Sequence, residues 1–81
     1  MPYVLNVPGL IQHMFDGKIH REDGPALILE LGIDIWYQNG KIHRENGPAI
    51  EFKNGDKKWF LQDREYTEKD YWRMVKLKAL W

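Results

Sequence analysis

Short apolar runs alternate with turn dipeptides along most of this chain. The runs, rich in the β-branched and aromatic residues that favour strands, cover residues 26–30, 33–38, 49–53 and 57–61. Three turn dipeptides accompany them: Asp16-Gly17, Asn39-Gly40 and Asn54-Gly55. Such dipeptides supply the positive φ angles that two-residue hairpin turns require. The pattern predicts a mainly β fold, an antiparallel meander of hairpins.

A helical pattern replaces the strand pattern near the C-terminal end. Thr67 followed by Asp70 is typical of a helix start, and Lys76 and Lys78 stand where the helix dipole favours cations. The sequence therefore predicts a capping helix over residues 68–80, suited to closing the open end of a sheet. Its apolar arc comprises Tyr71, Trp72, Met74, Val75 and Ala79.

The hairpin region contains an internal repeat of 23 residues. Residues 14–36 and 37–59 are identical at 11 positions, nine of them within the signature Gly-Lys-Ile-His-Arg-Glu-(Asp/Asn)-Gly-Pro-Ala. Because one such hairpin cannot bury its own face, the copies are expected to stack. We predict a single domain, residues 1–81. An extended leading segment (1–13) precedes the two repeats, a decayed third copy (60–67) and the capping helix (68–81).

These repeats resemble a known family. The run Trp-Tyr-Gln-Asn-Gly-Lys-Ile-His at residues 36–43 is similar to the MORN type of hairpin repeat, and the match spans roughly residues 12–67. The continuation His-Arg-Glu-(Asp/Asn)-Gly-Pro-Ala resembles a variant found in small bacteriophage and large-virus proteins. In the ordinary MORN pattern Gly follows the His, whereas Arg21 and Arg44 stand at that position in this chain. The membrane binding attributed to some MORN proteins is therefore not carried over.

Composition and charge narrow the choice of function. The chain has twelve acidic and twelve basic side chains, so its net charge is zero. Acidic side chains outnumber basic ones in residues 1–40, and basic side chains outnumber acidic ones in residues 41–81. A chain without net positive charge can bind the phosphates of nucleic acid only through a local basic patch, so nucleic acid is not expected as the main partner. Without cysteine or a basic leader, the chain is expected in the cytoplasm, with no cofactor, metal or membrane partner.

The clustered His, Arg and Glu of the signature invite three interpretations. Catalysis needs one preorganised constellation, whereas this motif occurs twice at a regular period, so we expect no enzyme. A structural role would have each His bond a neighbouring backbone carbonyl, with Arg and Glu paired with each other or across repeats. Alternatively, the stacked loops could form an anion- or nucleotide-binding edge from His20, Arg21, His43 and Arg44.

The helix supplies the remaining candidate surface. Leu77, Leu80 and Trp81 fall outside the apolar arc, among Arg73, Lys76 and Lys78. Together with Trp72 they predict a partner-binding surface, although end fraying would explain the same pattern. We expect a non-enzymatic phage accessory protein that binds and modulates a host protein, such as a CRISPR-type defence factor. Homodimerisation is the other expected use of the surface.

Overall fold

The computed structural model describes the backbone of residues 1–79 and the side chains of residues 1–78. Within that range the chain is mainly β and ends in a helix, which confirms the predicted fold class. The strands are β1 (Pro2–Val7), β2 (Leu10–Phe15), β3 (Lys18–Ile19), β4 (Leu27–Leu29), β5 (Ile33–Ile35), β6 (Tyr37–Gln38), β7 (Lys41–Ile42), β8 (Ile50–Phe52), β9 (Lys57–Leu61) and β10 (Arg64–Tyr66). The helix α1 covers Glu68–Ala79, and the predicted end at residue 80 lies outside the described residues.

Most strands form one antiparallel meander. The order across this sheet is β1-β2-β4-β5-β8-β9-β10, with β3 paired to β2. Strands β6 and β7 form a separate two-stranded ladder. Chain neighbours are therefore spatial neighbours along most of the sheet, as short hairpin connections require.

The predicted leading segment contributes a long hairpin of its own. Strand β1 pairs with β2 at six positions, from Pro2 opposite Phe15 to Val7 opposite Leu10. The turn between them is Pro8-Gly9, where Gly9 has a φ of 85°. This hairpin places β1 at one end of the sheet order.

One hairpin turn recurs at the repeat period with a constant backbone conformation. Both central residues have φ between 52° and 80° in Asp16-Gly17, Asn39-Gly40 and Gln62-Asp63. Positive φ at both positions defines the type I′ turn, whose twist matches that of the flanking strands. The decayed third copy therefore keeps the turn although it has lost the glycine.

The Asn54-Gly55 dipeptide forms a different turn from the one predicted. It lies between β8 and β9, but only Gly55 has a positive φ, of 95°. The Asn54 side-chain oxygen accepts the backbone N–H of Asp56 at 2.9 Å. A longer connection, in which the Asn side chain supports the backbone, replaces the expected two-residue turn.

Burial is concentrated where the second repeat, the hairpin of β9 and β10 (the third hairpin) and α1 meet. The molecule is thin, with extents of 39 × 32 × 17 Å, and most side chains of β2, β4, β5 and β6 are only half-buried. The buried side chains of the described residues are Ala26, Ala49, Ile50, Leu61, Tyr71 and the polar His43. All but Ala26 belong to the second repeat, the third hairpin or α1.

Helix α1 begins as the pattern predicts, but of its predicted apolar arc Trp72 is 41% exposed, and the side chain of Ala79 lies outside the described side chains. The Thr67 hydroxyl accepts the backbone N–H of Asp70 at 3.2 Å, which caps the first turn. The helix packs against β9 and β10, with Tyr71 buried and Met74 and Val75 half-buried. Residues 73–75 stand two repeats after β4, at the position where a third copy would place a strand beside β9. The helix occupies this position in place of that strand.

Candidate functional site

The first signature arginine is held by its own loop. The Arg21 Nε donates to Asp23 Oδ1 at 3.0 Å, and its Nη1 donates to the Pro25 carbonyl at 3.3 Å. Nη1 also lies 3.0 Å from His13 Nε2, which must accept because a guanidinium only donates. Burial of the ring, followed by the Arg21 charge, lowers the pKa of His13 below 6.5.

The second arginine repeats the bonds to its own loop, with different neighbours at three positions. Arg44 Nε donates to Asn46 Oδ1 at 3.1 Å, and Nη1 donates to the Pro48 carbonyl at 3.0 Å and to Glu51 at 3.1 Å. The guanidinium carbon lies 3.8 Å from the ring centroid of Trp36, the residue one repeat after His13. An aromatic ring therefore lies against the loop arginine in both repeats.

These contacts correct the predicted pairing of the signature arginines with the signature glutamates, Glu22 and Glu45. In both loops the arginine instead bonds the residue that alternates between Asp23 and Asn46, and Arg44 also pairs with Glu51 of β8. A carboxylate oxygen and an amide oxygen both accept a hydrogen bond, so the exchange preserves the contact. With Asp23 the bond is also an ion pair, and the hydrogen bond from Arg21 is the main reason that the pKa of Asp23 is lowered.

The signature glycines make room for the arginines. A Cβ on Gly24 would lie 2.9 Å from Arg21 Cζ, and one on Gly47 would lie 2.8 Å from Arg44 Cζ. Neither glycine is among the residues with positive φ. The close approach of the guanidinium, and not the backbone conformation, therefore requires glycine in these loops.

The signature histidines join each repeat to the next. His20 Nδ1 accepts the backbone N–H of Asn39 at 2.9 Å, and His43 Nδ1 accepts that of Gln62 at 3.0 Å. Both donors are the first residues of type I′ turns in the following copy. The prediction that each His bonds a backbone carbonyl is wrong, because the rings accept from a backbone N–H.

Because Nδ1 accepts, the proton of the neutral ring lies on Nε2, which faces the signature glutamate. His43 Nε2 is 3.0 Å from Glu45 Oε2, and His20 Nε2 is 3.6 Å from Glu22 Oε1. The hydrogen bond from His43 is the largest cause of the lowered pKa of Glu45. The Lys78 ammonium of α1 lies 3.6 Å from the same carboxylate, which links the second loop to the helix.

Tyr71 completes the second loop from the helix side. Its hydroxyl donates to the Arg44 carbonyl and accepts the backbone N–H of Gly47, the latter at 3.3 Å. Its ring centroid is 5.0 Å from that of Trp59 and 5.0 Å from that of Trp72. Burial is the main cause of the raised pKa of Tyr71, so the neutral phenol that donates this bond is favoured.

The predicted anion-binding residues are thus engaged within the fold. Both rings are bonded at Nδ1 and face carboxylates at Nε2, and both guanidinium groups bind their own loops. His43 is also only 1% exposed. Sequence reasoning missed His13 and the hydroxyl role of Tyr71; the 23-residue alignment of His13 with Trp36 was the available signal for the former.

The outer face of α1 holds the predicted partner-binding residues. Trp72 is 41% exposed and Leu77 is 45% exposed, while Arg73 and Lys76 are also exposed. A shallow groove of 540 Å³ runs along this face, lined by Lys69, Trp72, Arg73, Val75 and Lys76. The predicted residues Leu80 and Trp81 lie outside the described residues.

Residues 1–79 hold neither a candidate metal site nor a membrane-spanning helix. No three His, Asp or Glu side chains there form a cluster that could hold a metal ion. The only helix in that range is too short and too polar to cross a membrane.

Comparisons with protein-family models, with curated proteins and with solved structures found no match for this chain.

Proposed function

We propose that this protein is a non-enzymatic binding protein that engages an acidic protein surface through the outer face of α1. The observation that carries the proposal is the exposure of Trp72 and Leu77 beside a row of cationic side chains. Exposed Trp beside Arg is the composition that dominates protein interfaces.

The spacing of these residues places them on one side of the helix. Lys69, Trp72, Arg73 and Lys76 stand at i, i+3, i+4 and i+7, which are neighbouring positions on a helix surface. The buried Tyr71 lies on the opposite side, against Trp59. The four positions therefore form a continuous face, and Trp72 lies at its border, with its ring centroid 5.7 Å from that of Trp59 in β9.

The charge of this face favours an acidic partner. Lys69 and Lys76 form no ion pair with any of the described residues, whereas Arg73 lies 3.8 Å from Asp70 in an exposed pair. An exposed pair of this kind contributes little, about 0–1 kcal/mol, so Arg73 can exchange Asp70 for an acidic group of the partner. Complementary charge would also accelerate association.

The setting proposed for this activity is a phage-encoded accessory protein that modulates a host protein, such as a defence factor. That part rests on the resemblance of the signature to small phage repeat proteins and on the small size of the domain. The alternative, an anion- or nucleotide-binding protein, has less support from the geometry because the His and Arg side chains already bind within the fold.

Capture from host lysate with three baits tests the proposal. The first bait is the natural chain, the second carries Trp72→Ala and Lys76→Glu, and the third carries Leu31→Ala and Lys41→Glu. The third is the matched control, because it changes one exposed apolar and one exposed basic residue away from α1. We expect a protein that is retained by the first and third baits, lost from the second and eluted by salt.

Purified components then decide between the two functions. The captured protein should bind the natural chain directly and lose at least tenfold in affinity with the second bait. Equal capture by all three baits would overturn the α1 surface. A thermal-shift screen with inorganic phosphate and nucleoside triphosphates tests the alternative, which predicts stabilisation by one of these anions in the absence of any protein partner.

A further inference from the structure

The two ends of the sheet differ in what lies beside them. At one end, α1 packs against β9 and β10 and stands in place of a further strand. At the other end, β1 pairs with β2 on one side only, and no described residue pairs with its other side. A strand of six residues therefore presents an unpaired backbone edge.

None of the usual protective charges covers this edge. Residues 1–15 contain no Asp, Glu, Lys or Arg. Every residue of β1 is exposed, and Tyr3, Val4, Leu5 and Val7 are each 46–53% exposed. Natural sheets ordinarily blunt an exposed edge with charges, bulges or a covering segment, because an apolar edge recruits another strand.

We propose that β1 pairs with β1 of a second copy of this chain, so that two sheets join edge to edge in a symmetric dimer. A strand without charge meets its own copy without repulsion, and antiparallel pairing of identical strands is self-complementary about a twofold axis. A twofold pairing uses the β1 edge of both copies at once, so this contact is saturated at two chains. At the other end of each sheet, α1 packs against β9 and β10.

The hairpin register identifies the backbone groups that would form the contact. Val7 and Leu10 flank a two-residue turn, a position at which the paired residues exchange both backbone hydrogen bonds. Alternation along the strand then directs the backbone N–H groups of Val4 and Asn6 away from β2. Pro2 shares that side but has no N–H, so Val4 and Asn6 supply the donors for the second copy.

Two substitutions at Val4 test the pairing. Val4→Pro removes an outward N–H without removing a bond to β2, and Val4→Lys keeps the N–H but adds the charge that natural edges use. Leu31→Lys is the matched control, because Leu31 is 84% exposed but lies in the turn between β4 and β5. Far-UV circular dichroism and thermal melting verify that each variant is folded.

Sedimentation over a range of protein concentrations gives the first readout. We expect the natural chain and Leu31→Lys to approach twice the monomer mass, and both Val4 variants to stay monomeric. A natural chain that is monomeric throughout, or Val4 variants that dimerise as strongly as the control, would overturn the proposal. Dimerisation lost in Trp72→Glu but kept in both Val4 variants would also overturn it, since α1 would then be the contact.

Disulfide trapping gives a second readout that does not depend on weakening the contact. The chain has no cysteine, so a single introduced thiol can bond only to its counterpart in another copy. Val4→Cys and Leu5→Cys test the two adjacent registers, centred on Val4 and on Leu5, in which the outward N–H groups of Val4 and Asn6 both find acceptors in the second copy. Oxidation should give a covalent dimer with at least one of them and none with Leu31→Cys; no dimer from either would contradict the pairing.

Discussion

Gly24 and Gly47 lie so close to the guanidinium groups of Arg21 and Arg44 that neither position has room for a methyl group. In each loop the arginine is fixed by a carbonyl and a side-chain oxygen of the same loop. The glycine and the arginine are therefore required together, although they are not adjacent in the chain.

Replacing Gly47 with alanine tests this requirement. We expect Gly47→Ala to lower the free energy of unfolding by about 1–3 kcal/mol, because a displaced guanidinium leaves its acceptors unpaired. In an Arg44→Ala background the same methyl group should cost much less. Urea denaturation of the four proteins gives the coupling directly, and an equal cost in both backgrounds would show that the arginine is not the reason for the glycine.

His13 makes the first repeat sensitive to acid. Its pKa lies below 6.5 in the folded protein, because of burial and the Arg21 charge. The unfolded chain therefore binds more protons than the folded one between these two pKa values. The stability contributed by neutral His13 is fully present above pH 6.5, falls as the pH drops through this window and levels off below the folded-state pKa.

His13→Trp should remove this sensitivity, because Trp36 occupies the equivalent place beneath Arg44. We expect a gain of about 0.5–1 kcal/mol at neutral pH from the cation–π contact. The advantage should grow as the pH falls below 6.5. Thermal melts against pH measure it, with Trp36→His as the reverse variant that gains acid sensitivity; parallel profiles for His13→Trp and the natural chain would contradict this account.

At the scale of elements, the turns and the histidines act together. The second and third type I′ turns donate their first backbone N–H to the histidine of the preceding copy, at Asn39 and at Gln62. The second residue of each turn also donates its N–H to the preceding copy, from Gly40 to the Ile19 carbonyl and from Asp63 to the Ile42 carbonyl. The third turn adds one bond, in which Asp63 Oδ1 accepts the Ile42 N–H at 2.6 Å. Tertiary contacts thus hold a turn whose own residues do not favour it.

Gln62→Asn should stabilise the protein by restoring a residue suited to this turn. Gln62 has a φ of 52°, a conformation that asparagine adopts more readily than glutamine. We expect a gain of about 0.5–1 kcal/mol, in the range found when a residue suits its backbone conformation. Denaturant unfolding measures it, with Gln62→Ala as the control that should give no gain; a destabilised Gln62→Asn would mean that the longer side chain makes a favourable contact of its own.

At the scale of the whole molecule, stability is expected to rise from the first hairpin towards α1. Strand β1 is exposed throughout, whereas His43, Leu61 and Tyr71 are buried around the second loop. Local opening takes place most readily where few side chains are buried. The N-terminal hairpin should therefore open without unfolding the rest.

Hydrogen exchange at low protein concentration, where the chain is monomeric, measures this gradient. The amides of Val4 and Asn6 should exchange fastest among the strands, and that of Ala49, which donates to the Lys58 carbonyl at 2.9 Å, should be among the slowest. In the proposed dimer the first two amides become protected as concentration rises. Equal protection along the chain would instead indicate a single cooperative unit.

The sequence by itself determined the repeat, the mainly β class, the positions of two turns and the start of the helix. These follow from local chemistry, because Asp-Gly and Asn-Gly favour positive φ and Thr67 caps the helix that it precedes. The exposed position of Leu77 is equally local, since helical spacing alone places it outside the apolar arc. The same spacing places Trp72 inside that arc, so its 41% exposure is decided by how α1 packs.

Only the tertiary structure decided what the signature side chains do. A histidine bonded to a turn 19 residues later, or a tyrosine hydroxyl bonded to a carbonyl 27 residues earlier, depends on how copies stack. The exposed edge of β1 could not be inferred from the sequence either, because its uncharged, mostly apolar residues are also typical of a buried strand. Local conformational preferences determine where strands, turns and the helix form. The hydrogen-bond partners of a polar side chain, and whether a sheet edge is paired, depend on which of these elements pack together in the folded chain.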